Sequence, residues 1–241
     1  RARYQHSILG ALWTVVQPLA MILVYTIIFS QIMQAKLPGV DHAFAYSVYL
    51  CSGIITWGLF SEISSRLQNV YLENANLIKK IRFPKLCLVT VVVGTACINF
   101  TLIFCLFLGF LLLTGTFPGL VIVAIIPLLA ILIFFAVSLG LILGTLNVFF
   151  RDVGHFFGIF LTFWFWFTPI VYPISIIPSK FHWVLAINPL FHVMTAIQEV
   201  MVMGRWPAWE WLLIPLGVAS LLAVFGYRLF QRVHADLVDT L

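Results

Sequence analysis

Apolar stretches of membrane-spanning length alternate with short polar segments from one end of the chain to the other. A helix needs about 20 predominantly apolar residues to cross a bilayer. The pattern therefore predicts an all-α integral membrane protein, with six transmembrane helices in a single domain. The predicted spans are residues 12–33, 46–69, 86–114, 120–146, 153–172 and 211–230.

Residues 174–203, between the fifth and sixth predicted spans, are too apolar for a plain loop and too interrupted for a seventh span. Pro173, Pro178 and Pro189 break the stretch, so no run of about 20 apolar residues survives. Two short helices fit better, one opening after Pro178 and one following the Asn188-Pro189 turn. We expect the pair to be re-entrant from outside, because irregular backbone at membrane depth must be buried in protein or line a watery cavity.

The distribution of cations orients the chain. With six spans both termini lie on the same side of the membrane, and that side carries ten of the 13 Lys and Arg residues. The remaining three are Lys36, Lys180 and Arg205. Cytoplasmic loops carry the excess of Lys and Arg, so the ten-cation side and both termini are predicted to be cytoplasmic. The first residue is Arg1 rather than Met, so we expect the true N-terminus to be missing.

Composition excludes a water-soluble fold. Of the 241 residues, 63% are hydrophobic and only 9% are charged, whereas a soluble domain is about 45–50% apolar and about 25% charged. In such a chain the net charge of +5 does not indicate a nucleic-acid partner. The histidines and the four cysteines fit no metal motif, so we predict no metal site and no cofactor bound by this chain.

The sequence also limits how the chain could obtain energy. No Gly-rich phosphate loop followed by Lys-Ser or Lys-Thr occurs, so the chain is not expected to hydrolyse a nucleotide itself. The centres of spans one, three, four, five and six contain no charge, which disfavours coupling to an ion gradient. Glu62 and Arg66 lie one helical turn apart near the cytoplasmic end of span two, and we interpret them as a structural pair. Energy for any transport is therefore expected from a partner.

Four cations cluster between spans two and three, in residues 76–85. A plain loop on anionic lipid needs cations but no particular order. In this segment apolar residues are interleaved with the cations, and Phe83-Pro84 stops the helix before span three. The pattern favours a short amphipathic helix that docks into a groove on a partner protein. The candidate docking residues are Asn76, Leu77, Ile78, Lys79, Lys80, Ile81, Arg82, Phe83 and Pro84.

Span five carries a stripe of phenylalanines at three- and four-residue spacing, with Trp164 and Trp166 beside it. The stripe consists of Phe156, Phe160, Phe163 and Phe167. The residues alone leave two interpretations open. The stripe is either apolar bulk that faces lipid, or the lining of a pore in which the C–H faces of sugars stack on aromatic rings.

Small residues form two ladders that permit close approach of helices. The first consists of Ala136, Gly140 and Gly144, and the second of Gly154 and Gly158. The sequence leaves open whether the partner helix belongs to this chain or to a second copy.

Five stretches, in order and from end to end, resemble the membrane permease subunit of ABC exporters for polysaccharides such as O-antigen, capsule and teichoic acid. They are residues 3–13, 73–84, 147–153, 167–173 and 188–189. The resemblance implies a homodimer of six-span subunits together with two nucleotide-binding ATPase subunits, which hold the ATP and magnesium. It further implies that residues 76–84 form a coupling helix seated in a cleft of the ATPase. Residues 1–11 would be the end of a cytoplasmic interface helix.

The resemblance also implies that residues 174–203 form the outer end of a channel lined by aromatic rings. The pore interpretation of span five is then favoured over lipid contact. The candidate channel aromatics are Phe156, Phe160, Phe163, Trp164, Phe167 and Tyr172. The candidate gate residues are Pro173, Pro178, Asn188 and Pro189.

On this resemblance we expect ATP-driven export of a polysaccharide linked to undecaprenyl diphosphate across the bacterial cytoplasmic (inner) membrane. The chain would be a transport subunit rather than an enzyme. Two alternatives stay open. One is an ABC permease of the same fold for a drug or small lipid. The other is an enzyme of lipid-carrier metabolism, for which Asp152 with His155 is the candidate site.

Overall fold

The computed structural model describes residues 13–32, 37, 40, 42–80 and 86–233. Within these ranges the chain is almost entirely helical and contains no β-strand, which confirms the all-α prediction there. A π-helical segment, Ile27–Ile32, extends the first helix, and 3₁₀ segments Gly119–Ala124 and Trp209–Leu212 precede the fifth and the ninth. The α-helices are α1 Trp13–Thr26, α2 Ala45–Glu73, α3 Ala75–Lys80, α4 Leu86–Thr114, α5 Ile125–Phe149, α6 Asp152–Phe167, α7 His182–Ile187, α8 Pro189–Met203 and α9 Leu213–Val233.

Several helices have the length and composition of membrane spans. In the described part of the chain, three segments are long and apolar enough to cross a bilayer: Leu86–Thr114, Gly119–Phe149 and Trp209–Val233. A bent pair, Ser179–Ile187 with Pro189–Met203, has an angle of 107° at its break and is either a broken span or a re-entrant loop. The chain is therefore a multi-pass membrane protein. In addition, α1 and α6 are shorter apolar helices, and α2 is long but polar in its second half.

Helix bounds match the predicted spans where the apolar run is uninterrupted, as in α4, which covers residues 86–114. By contrast, α6 ends at Phe167, whereas the sequence predicted a span to residue 172. Pro169 explains the early end, because the residue before a proline is held out of helical conformation. Thr168 accordingly has an extended backbone, with φ −102° and ψ 129°.

The central helix of the bundle is α2, which packs against α4, α5 and α8, while α5 also packs against α9. Two glycines of α5 allow close approach to α2. A Cβ at Gly144 would lie 2.5 Å from the Leu67 backbone oxygen, and one at Gly140 would lie 2.6 Å from the Leu67 Cβ. The small-residue ladder of α5 therefore contacts a helix of the same chain, which answers for this ladder the question that the sequence left open.

Candidate functional site

Between α6 and α7 the backbone leaves helical geometry at residues 168–172, which we call the α6 turn. Each of the four carbonyl groups that follow Thr168 lies within hydrogen-bond distance of a side-chain donor of α2 or α8. Tyr46 donates to Val171 (2.6 Å) and Gln198 to Ile170 (3.2 Å), while the single hydroxyl proton of Tyr49 is shared between Pro169 (2.8 Å) and Tyr172 (3.0 Å). Irregular backbone is tolerated at membrane depth only when its polar groups are satisfied, and this condition is met for these four carbonyls.

Asn188 joins the bend between α7 and α8 to the end of α6. Its Oδ1 accepts from the Leu190 backbone N–H at 3.1 Å, which caps α8, and from Trp164 Nε1 at 2.9 Å. Its Nδ2 donates to Thr168 Oγ1 at 2.9 Å. Thr168 is fully buried, and its hydroxyl donates onward to the Trp164 backbone oxygen at 2.9 Å. We call Trp164, Thr168 and Asn188 the gate node.

Prolines shape the segment on either side of the gate node. Pro189 occupies the first position of α8, where a missing N–H removes no helical hydrogen bond. Pro173 and Pro178 have extended backbones, and each immediately precedes a 3₁₀ turn. Across the bend, His192 Nε2 lies 2.9 Å from the Ala186 backbone oxygen. The four candidate gate residues therefore lie at the ends of short helical elements.

The phenylalanine stripe of α6 forms one exposed face, which we call the aromatic face. The exposed fractions are 70% for Phe156, 42% for Phe160, 62% for Phe163 and 59% for Phe167. Trp164 lies beside this face: its ring contacts Phe160, with 5.0 Å between the ring centroids, and also packs against Trp57 and Phe60 of α2, while its Nε1 belongs to the gate node. Tyr172 is half-buried, and its hydroxyl donates to the Trp166 backbone oxygen. The structure thus places four of the six candidate channel aromatics on one exposed face, with Trp164 in contact with one of them and Tyr172 beyond the end of the helix.

The first part of the predicted docking segment lies in α3, directly after α2. Leu77 is 41% exposed, whereas Ile78 is only 7% exposed and anchors the helix. Asn76 and Lys79 are exposed as well. Outside the described residues lie the Lys80 side chain, Ile81, Arg82, Phe83 and Pro84. The described part of α3 therefore presents an apolar and a cationic side chain outward.

Asn147 joins α2, α5 and α6 on the side of the bundle that leads into α3. It is 2% exposed, and its Nδ2 donates to the Gln68 backbone oxygen and to Asn69 Oδ1, each at 3.1 Å. Its Oδ1 accepts from the Gly154 backbone N–H at 3.1 Å. A Cβ at Gly154 would lie 2.8 Å from Gln68 Nε2, so α6 begins in tight contact with α2. Sequence reasoning included Asn147 in a family motif but assigned it no role.

Glu62 and Arg66 form the expected ion pair, with 2.9 Å between Arg66 Nη1 and Glu62 Oε1. Sequence reasoning missed a third member, because Asn99 Nδ2 donates to the same Oε1 at 3.1 Å. Asn99 lies next to the middle of α4, a helix of 29 residues without a charge. Glu62 is therefore level with the middle of α4, and Arg66 lies one turn nearer to α3. The sequence feature that could have revealed this contact is the amide of Asn99, a polar group within an uncharged apolar helix.

The chain is similar to transport proteins over its whole length. A model of the ABC-2 type transporter family matches residues 1–202. O-antigen export system permease proteins RfbA from Klebsiella pneumoniae and Myxococcus xanthus are each 30% identical, over 242 and 243 residues, covering 100% of this chain and 91% of each relative. Polysialic acid transport protein KpsM from Escherichia coli is 23% identical over 208 residues, which cover 85% of this chain and 78% of that protein.

Proposed function

Since the chain belongs to the ABC-2 type transporter family, and so is a transport component, we propose that it is the channel-forming permease subunit of an ATP-driven exporter. The cargo is a lipid-linked polysaccharide of the O-antigen kind, carried on undecaprenyl diphosphate. Two similar proteins are named for O-antigen export and a third for polysialic acid transport, which supports a saccharide polymer as cargo. ATP and magnesium belong to a separate nucleotide-binding partner.

The aromatic face of α6 is the observation that carries this proposal. Sugars present C–H faces that stack on aromatic rings, and such contacts let a polymer slide without tight polar binding. Phe167, the last residue of α6, directly precedes the α6 turn. The aromatic face and the gate node therefore belong to one continuous element, with the rings on the outside of the helix and the node on the inside.

In the proposed assembly two copies of the chain bring their aromatic faces to a shared channel in the bacterial cytoplasmic (inner) membrane. The six spans are α1 with its π-helical extension, α2, α4, α5, α6 and α9, and both termini are cytoplasmic. The pair α7 and α8 enters from outside as the gate. The satisfied carbonyl groups of the α6 turn support this arrangement, because they allow irregular backbone at membrane depth.

In the proposed mechanism two ATPase subunits close on ATP and push α3. Because α2 continues almost directly into α3, and Asn147 holds α2 to the start of α6, the displacement passes into the helix that carries the aromatic face. The two copies then shift along their interface and open the channel.

Loss of two rings from the aromatic face should slow export. We expect Phe163→Ala with Phe167→Ala to lower surface polysaccharide about tenfold, because each lost ring contact is worth about 0.5–1.5 kcal/mol. The amount is measured by immunoblot of polymer at the cell surface, normalised to the membrane content of the chain. Phe225→Ala is the matched control, since Phe225 is 58% exposed but lies on α9. If the double variant and the control export equal amounts, the aromatic face contacts lipid and does not line the channel.

A negative charge on α3 should release the ATPase. We expect Leu77→Asp with Lys79→Glu to weaken binding of the ATPase subunit about thirtyfold, which corresponds to about 2 kcal/mol at an interface anchor. The measurement is the amount of ATPase that co-purifies with the detergent-solubilised chain. Lys180→Glu reverses an exposed cation at the gate end and should leave co-purification unchanged. Wild-type recovery of the ATPase with the double variant would exclude α3 as the docking element.

A further inference from the structure

A groove of about 900 Å³ runs between α1, α2 and α4, away from the aromatic face and the gate. On α2 it is lined from Ile54 to Glu73, a rise of about 28 Å at 1.5 Å per residue. The Glu62, Arg66 and Asn99 cluster lies in its wall. Ionisable groups at membrane depth face cavities or partners and mark functional sites more often than structural ones. The groove is therefore a candidate ligand-binding site.

The lining of the groove changes from apolar to polar along its length. Ile54 and Ile103 line the end distant from α3, whereas Arg66 and Glu73 line the end near α3. An occupant that matches this lining has an apolar tail directed away from α3 and a polar head directed towards it. That is the shape and polarity of a membrane lipid, and the proposed cytoplasmic position of α3 places the lipid in the cytoplasmic leaflet.

The charges in the groove narrow the class of headgroup. One guanidinium nitrogen of Arg66 donates a hydrogen bond to Glu62, and the side chain is 42% exposed. Its other N–H groups make no hydrogen bond to the described residues. Glu73 is exposed and has no hydrogen bond or ion pair among the described residues. Two carboxylates, Glu62 and Glu73, line the groove together with Arg66, so a purely anionic head is disfavoured. A head that joins one phosphate to one ammonium satisfies both signs of charge.

We propose that this groove binds a zwitterionic phospholipid, with the phosphate on Arg66, the ammonium on Glu73 and an acyl chain along Ile54 and Ile103. The guanidinium fork suits a phosphate oxygen pair. The orientation of the lipid rests on the proposed function, because it depends on α3 being cytoplasmic. The headgroup preference does not, because it follows from the charges alone.

The test is lipid selectivity of the full-length chain purified in detergent. Phosphatidylethanolamine and phosphatidylglycerol are supplied in equal amounts, and lipid adducts are counted by native mass spectrometry. We expect the wild type to retain phosphatidylethanolamine about tenfold better. Glu73→Lys should reverse the preference, since it replaces the ammonium-binding carboxylate by a cation. Lys180→Glu is a charge-changing control outside the groove and should leave the preference as it is.

Three results would overturn the proposal: no preference in the wild type, a preference for phosphatidylglycerol, or an unchanged preference in Glu73→Lys. Arg66→Gln is a second variant that should lose retention of both lipids, provided that its elution profile shows a folded chain. None of these measurements uses ATP, the ATPase or export. Failure of the lipid site and failure of the proposed transport function are therefore distinguishable.

Discussion

Gly144→Ala is expected to disrupt the packing of α2 on α5 and to remove most of the folded chain. The new Cβ would lie 2.5 Å from the Leu67 backbone oxygen, a distance that side-chain rotation cannot relieve. Overpacking of a core costs about 1–3 kcal/mol, and we expect about 3 kcal/mol because the obstacle is backbone of the central helix. The measurement is the monodisperse fraction and the Tm of the chain purified in detergent.

Two other glycines provide variants for which we expect a smaller loss of stability or none. Gly140→Ala meets the side chain of Leu67, which can shift in part, so its effect should be smaller. Gly94→Ala in α4 has open space within 4 Å and should leave the Tm unchanged. A Gly144→Ala chain with the same Tm as Gly94→Ala would contradict the close approach of α2 and α5.

Asn188→Ala is expected to abolish export while the chain still inserts into the membrane. The substitution removes the cap of α8, worth about 1 kcal/mol. It also leaves the Trp164 Nε1–H without its acceptor, at about 1–3 kcal/mol for a buried unsatisfied group, and removes the donor to Thr168, whose own hydrogen bond to the Trp164 backbone oxygen remains. The bend between α7 and α8 should then lose its fixed position against α6. Export is measured as surface polysaccharide, and local opening as hydrogen exchange of residues 182–203.

Milder substitutions in the gate node separate its hydrogen bonds. Trp164→Phe keeps a ring in the packing against α2 but removes the Nε1 donor, so about 1 kcal/mol should be lost. Asn188→Asp keeps the oxygens that cap α8 and accept from Trp164, and should retain more export than Asn188→Ala. If Asn188→Ala exports normally and its exchange in α8 matches the wild type, the node does not hold the gate.

The sequence predicts the helices well where one physical signal dominates. In α4 an unbroken apolar run gives both ends correctly, and at residues 174–203 the prolines give two short helices. The predicted end of span five is wrong. Hydropathy remains high through residue 172, but Pro169 ends the helix at Phe167. Length and apolarity locate a helix, but the backbone chemistry of single residues decides where it stops.

The candidate site is less predictable than the fold, because its key contacts join residues distant in sequence. Helical spacing correctly places the four phenylalanines on one face. The same spacing cannot show that Trp164 turns inward to Asn188, or that Asn99 bonds to Glu62 across 37 positions. These contacts depend on which helix lies opposite, and that is set by packing such as the fit of Gly144 on Leu67.

The α6 turn owes its shape to groups outside itself. Tyr46, Tyr49 and Gln198 donate hydrogen bonds to backbone oxygens of the turn. Every amino acid has such an oxygen, so these hydrogen bonds do not depend on which side chains the turn carries. Half-buried positions such as Val171 can therefore diverge between lineages without a change of local architecture. If the proposed export function is correct, related chains can adapt the outer end of the proposed channel to a new polymer while they keep the same scaffold.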